Sequence, residues 1–236
     1  MTNALFEHWW PVTYDYGLIR AAPEETGAAC AAWYRDDPSG RLSTETKPLA
    51  EHLAAFEPIT IAKNRTLLFS LGDGWTAFLR NGIHGSDAAS AMPVLAKTFG
   101  TIAMQVCVTP REKLYQGVTW AVYDGKTPVN GVRVPAQRSI AALNDGGRWV
   151  FEQSGAPFAF EDQTRYAAKR KRDRFTAEML REYLAAFGAP DLLTCGLRPE
   201  EIVTATLHHR DPWPAAKLYS LEDWKAEEKR RSGRAR

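Results

Sequence analysis

Apolar residues recur at helical spacing in the first sixty positions, at a spacing of two through the middle of the chain, and at helical spacing again near the end. Thr26 to Arg35 reads as a short helix closed by the turn-rich Asp36-Asp37-Pro38-Ser39-Gly40. Leu49, Leu53 and Phe56 predict a second helix from Lys47 to Phe56, with Pro48 suited to its first turn and Pro58 to stopping it.

From residue 61 the pattern alternates. Thr66 to Leu71 and Trp75 to Leu79 flank Gly72-Asp73-Gly74, a hairpin signal that puts Trp75, Ala77 and Leu79 on one face. A polar connection, Asn81-Gly82-Ile83-His84-Gly85-Ser86-Asp87, leads into a helix from Ala91 to Phe99, with Ser90 placed to cap it and Gly100 to end it. Thr101 to Val108, Val118 to Tyr123, Arg138 to Leu143 and Arg148 to Gln153 then read as strands, the last two joined through Asn144-Asp145-Gly146-Gly147.

In the last third, Met179, Leu180, Tyr183, Leu184 and Phe187 form one stripe of a helix from Thr176 to Phe187, followed by Gly188. Ile202 to Leu207 reads as an edge strand and Leu221 to Arg231 as a charged helix. The pattern therefore predicts an α+β fold in one domain, residues 1–236. Its parts are a helical or irregular region (1–60), a largely antiparallel sheet of about six strands (61–160) with helices packed on one face, and a basic, helical C-terminal third (161–236).

Composition narrows the class. With 236 residues, 44% hydrophobic and 25% charged, the chain can bury a core and is not disordered, collagen-like or disulfide-dense. No apolar stretch approaches the roughly 18 residues of a membrane span, and no basic residue precedes an apolar run at the start. Cys30, Cys107 and Cys195 are widely spaced and form no CxxC. A cytoplasmic protein without membrane attachment is the expectation.

The net charge of +2 conceals an asymmetry, because residues 1–164 sum to −3 and residues 165–236 to +5. The excess lies in Arg165 to Arg174 (RYAAKRKRDR) and in the tail from Lys225 to Arg236. Such a local positive field attracts phosphate, anionic lipid or an acidic protein. Eight tryptophans are also present, a residue type that supplies core area or anchors a binding surface.

Motifs for chemistry are sparse. The sequence contains no HExxH, no Cys/His finger spacing and no DxDxDG loop, so no metal site is expected. It likewise contains no GxxxxGK[ST], no GxGxxG and no GxSxG, and no cofactor is expected. The adjacent carboxylate pairs sit at turns and helix starts, where solvation accounts for them.

One loop gathers Arg80, Asn81, His84, Ser86 and Asp87 between a strand and a helix, with two glycines that let a ligand approach the backbone. Three function classes follow. The first is a non-catalytic protein-binding module (an inhibitor, an immunity protein for a toxin, or an adaptor) with an acidic protein as partner. Its binding residues would be Lys169, Arg170, Lys171, Arg172 and Arg174, with Arg80, Asn81 and His84 second. The second is a small enzyme with His84 and Asp87 as catalytic residues and Arg80 as anion anchor. The third is a non-specific nucleic-acid binder using residues 169–174.

Overall fold

The computed structural model describes residues 4–109, 115–126 and 135–234. In chain order the elements are α1 (Ala4–His8), β1 (Asp15–Ile19), α2 (Pro23–Trp33), β2 (Arg41–Pro48), α3 (Leu49–Ala54) and β3 (Ile59–Thr60). There follow β4 (Arg65–Gly72), β5 (Trp75–Arg80), α4 (Ala88–Phe99), β6 (Ala103–Thr109), β7 (Gly117–Tyr123), β8 (Arg138–Asn144) and β9 (Trp149–Ser154). Two 3-10 turns, Gln163–Ala167 and Lys171–Asp173, precede α5 (Ala177–Ala186), β10 (Ile202–His209), β11 (Leu218–Tyr219) and α6 (Leu221–Arg234). The end of the basic tail, residues 235–236, lies outside the described residues.

Nine strands form one sheet in the order β2-β10-β4-β5-β1-β6-β7-β8-β9, and every neighbouring pair is antiparallel. This corrects the expected sheet of about six strands. The strand at its centre, β1, is buried at all five positions, so it carries no polar alternation to mark it. The edge strand β2 fails the pattern for the opposite reason: RLSTETKP has almost no apolar residue and is exposed over its first six positions. It is held by its ladder to β10 and by hydroxyl pairs Thr44–Thr206 at 3.2 Å and Thr46–Thr204 at 2.8 Å. Both strands lie in the region expected to be helical or irregular.

Two further expectations are overturned. Helices cover both faces of the sheet rather than one. Leu67, Leu79, Met104 and Trp120 belong to one core cluster with Met179, Leu180 and Tyr183 of α5, whereas Leu68, Phe78 and Ala103 belong to a second with Met92 and Leu95 of α4 and Cys30 of α2. Nor is the C-terminal third helical: besides α5 and α6 it holds 3-10 turns, irregular chain and β10. That strand is not at the edge, for it sits between β2 and β4.

Glycine allows two of these helices to approach the sheet closely. A Cβ on Gly17 of β1 would lie 2.6 Å from the Met92 side chain of α4, and one on Gly27 of α2 would lie 2.5 Å from Thr206 Cγ2 of β10. The amide at the start of α4 is met from a distance as well. Asp87, at its N-cap, makes no side-chain cap bond, and the Ala88 amide donates instead to the Asp15 carboxylate on β1 at 3.3 Å.

The chain after β9 is fixed to the sheet by a buried ion pair. Arg138 of β8 donates to Glu161 through Nε at 3.0 Å and Nη2 at 2.7 Å, with both side chains at most 1% exposed. The carbonyls of Ser154 and Gly155 and the Gln153 side chain accept the remaining donors of Arg138. Glu161 in turn accepts from Tyr166 Oη at 2.7 Å and from the Phe158 amide at 2.9 Å. Every arm of the pair has a partner, which is the condition under which a buried ion pair holds. Glu161→Gln is expected to destabilise the protein by about 3–5 kcal/mol, because it leaves the guanidinium buried without its counter-charge. Urea denaturation followed by circular dichroism measures this.

Candidate functional site

The ion pair sets the course of residues 158–187, and that course creates a groove. Val108, Val118 and Ala142 form one row across β6, β7 and β8 on the α5 face of the sheet. Phe175, Thr176, Ala177 and Glu178, at the start of α5, lie over this row, and Trp149 of β9 stands at its end. The enclosed volume is about 340 Å³. A neighbouring hollow of about 350 Å³ is lined by Trp149, Arg170, Lys171 and Arg172. Arg172 lines both.

The cations of the basic run therefore have separate positions. Lys169, Arg170, Lys171 and Arg172 are exposed. Arg172 lies 3.6 Å from Asp173, and Lys169, Arg170 and Lys171 form no ion pair with any described residue. Arg174 turns inward: its Nε donates to the Ala168 carbonyl at 2.9 Å and its guanidinium lies 5.7 Å from the centre of the Phe151 ring. It supports the wall of the groove rather than its rim. Asp173 and Glu178, both exposed, stand at the mouth.

The polar loop is assembled differently from the basic run. Asn81 is fully buried and entirely occupied by structure, accepting from the Arg65 amide and donating to the Pro58 carbonyl and to Asn64 Oδ1. His84 is exposed and meets Trp224 of α6 edge-on at 5.8 Å. Asp87 pairs instead with Lys63 at 3.4 Å. His84 and Asp87 thus have different neighbours, and neither lines the two grooves above.

Arg80 faces α2 and joins a cluster that the sequence did not suggest. His208, Thr66 and Arg80 form one row across β10, β4 and β5. Tyr34, at the end of α2, stacks on the His208 ring at 5.8 Å and 11°, and its hydroxyl accepts from Arg80 Nη2 at 3.0 Å. The Arg210 guanidinium lies 3.7 Å from the centre of the same tyrosine ring. His208 and Arg210 are two residues apart in an extended segment, the one sequence signal that they share a side.

Among the described residues no group of three or more histidines, cysteines and acids is placed to hold a metal ion. No helix among them is long and apolar enough to cross a membrane. No protein-family model, curated protein or solved structure matches the chain.

Two buried groups titrate in opposite senses. Burial, with Arg210 and Arg80 adding to it, pushes the His208 pKa down from 6.5 to about 4. Burial raises Asp15 from 3.8 to about 6, against the lowering effect of its bonds from Gln105 and the start of α4. The stability held by neutral His208 is complete above 6.5 and is lost as pH falls towards 4. The contribution of Asp15 has the other sign: it is present below 3.8 and is lost as pH rises through 6. His208→Gln is expected to flatten the acid side of the stability profile by up to about 3 kcal/mol, and Asp15→Asn to steepen it. Thermal midpoints measured from pH 4 to pH 7.5 report both slopes.

Proposed function

We propose that the protein is a non-catalytic binding module whose docking surface is the groove beside Trp149, and that its partner is a protein presenting an acidic segment with an apolar anchor. The observation that carries this reading is the set of exposed cations Lys169, Arg170 and Lys171, unpaired among the described residues, next to a half-buried tryptophan and a floor of valine and alanine. An aromatic wall beside positive charge offers one pocket for an anchor and a rim for acidic neighbours. The two exposed tryptophans among the described residues, Trp33 and Trp213, lie outside this groove.

The groove favours a protein over the other two readings. A nucleic-acid backbone would pass phosphates across Asp173 and Glu178 at the mouth, whereas a protein segment can set its apolar anchor there and confine its acidic residues to the acid-free hollow of Arg170, Lys171 and Arg172. The enzyme reading rests on His84 and Asp87 acting together, and they have different neighbours, Trp224 and Lys63. A reducing, cytoplasmic setting accords with the three thiols, all free of disulfides.

The test compares native extract captured on the wild-type protein with extract captured on Arg170→Glu/Lys171→Glu and on Trp149→Ala, each with and without nuclease. A protein held by the wild type is expected to be lost from the charge-reversed form and to bind Trp149→Ala about 30-fold more weakly. Its association rate should fall as salt is raised. Identical capture by all three proteins, or retention that nuclease abolishes, rejects the reading.

A further inference from the structure

The row beneath Tyr34 carries more positive charge than the structure neutralises. The Lys63 carbonyl accepts from Arg80 Nη2 at 3.0 Å and from Arg210 Nη2 at 3.3 Å, so two guanidinium groups converge on one oxygen. The Lys63 chain turns here through a left-handed residue, φ 44, and its ammonium reaches Asp87 at 3.4 Å. Arg210 finds Asp37 at 3.4 Å. Arg80 finds no acid at all: it is 7% exposed, forms no ion pair with any described residue, and its Nε has no hydrogen-bond partner. His208, 2% exposed in the same row, also leaves Nε2 without a partner.

A buried guanidinium with no counter-charge costs several kcal/mol, and a second guanidinium sharing its acceptor adds repulsion. An arrangement of that kind is explained if an anion completes it. Two planar forks, one from β5 and one from the residue after β10 on the far side of β4, suit a tetrahedral oxyanion better than a planar carboxylate, since each fork can take a different edge. Lys63 and Arg210 keep 19% and 17% of their side chains exposed, so the edge of the cluster meets solvent.

We propose that Arg80, Arg210 and Lys63, with the Tyr34 hydroxyl, form a binding site for a small oxyanion of the phosphate class, either free or as the terminal group of a larger molecule. The depressed pKa of His208 agrees with the same uncompensated field, because Arg210 and Arg80 both oppose its protonation. This site is separate from the groove beside Trp149: one is on the α2 face of the sheet and the other on the α5 face. Either can fail without the other.

The experiment titrates the whole protein with inorganic phosphate and with phenyl phosphate, against sodium chloride at matched ionic strength. It reads the thermal midpoint, the heat of binding and the imidazole proton resonances of His208. Saturable binding is expected, with a midpoint raised by about 2–5 °C at saturation and a His208 resonance that moves with occupancy. Arg210→Gln and Lys63→Gln, at the rim of the site, should each weaken binding about tenfold or more, with the midpoint shift on adding ligand read for each variant against its own ligand-free midpoint. Stronger binding of phenyl phosphate assigns the site to a group carried on a larger molecule, and stronger binding of the inorganic ion assigns it to the free anion. The proposal is overturned if about 20 mM phosphate produces no response beyond that of chloride, or if both variants bind as the wild type does.

Discussion

Arg138 and Glu161 meet where water is excluded, and their satisfaction is collective. Five acceptors surround one guanidinium in a shell closed by Glu161, three residues of the β9 exit and the hydroxyl of Tyr166 behind the carboxylate. Tyr166 then bonds to Tyr183 of α5 at 2.8 Å, so the charge pair is linked to the helix that covers the α5 face. Trp120, Phe158 and Phe187 pack around the same tyrosine and helix. The irregular chain between β9 and α5 has no ladder to define its path. Its position comes from this shell, and the basic run inherits that position.

The elements that the sequence made legible are those with one wet face and one dry face, or those flanking a strong turn signal. Strand β8 and helix α5 have the first character, whereas β5, buried at all six positions, was marked by Gly72-Asp73-Gly74 and by the shared face of Trp75, Ala77 and Leu79. Strand β1 is dry on both sides and β2 is wet over most of its length, so periodicity had nothing to detect in either. The placement of β10 between β2 and β4 depends on partners 136 to 168 residues away, which no local pattern carries. Strands β1 and β5 are buried on both faces, so helices on one face cannot cover the sheet, and the second layer follows.

The site divides in the same way. The basic run was visible as composition, yet composition could not separate Arg174, folded inward over Phe151, from the exposed cations before it. Trp149 was legible as a strand residue, and its place beside those cations comes from the fold. Asn81 drew attention as a polar loop residue, and its amide is consumed in holding Arg65 and Asn64 in place. Tyr34, Arg210 and Lys63 come from three distant segments, and only the assembled sheet brings them to Arg80.

The pairing of β2 with β10 has a consequence for biosynthesis. At the ribosome, the first partner of β2 emerges only after residue 202 has been made, and until then β4 also lacks the neighbour on that side. Seven of the nine strands can pair before that point, whereas this margin must wait for nearly the whole chain. The polar composition of β2, with no run of aliphatic residues to recruit a foreign strand, suits a segment that spends translation unmatched.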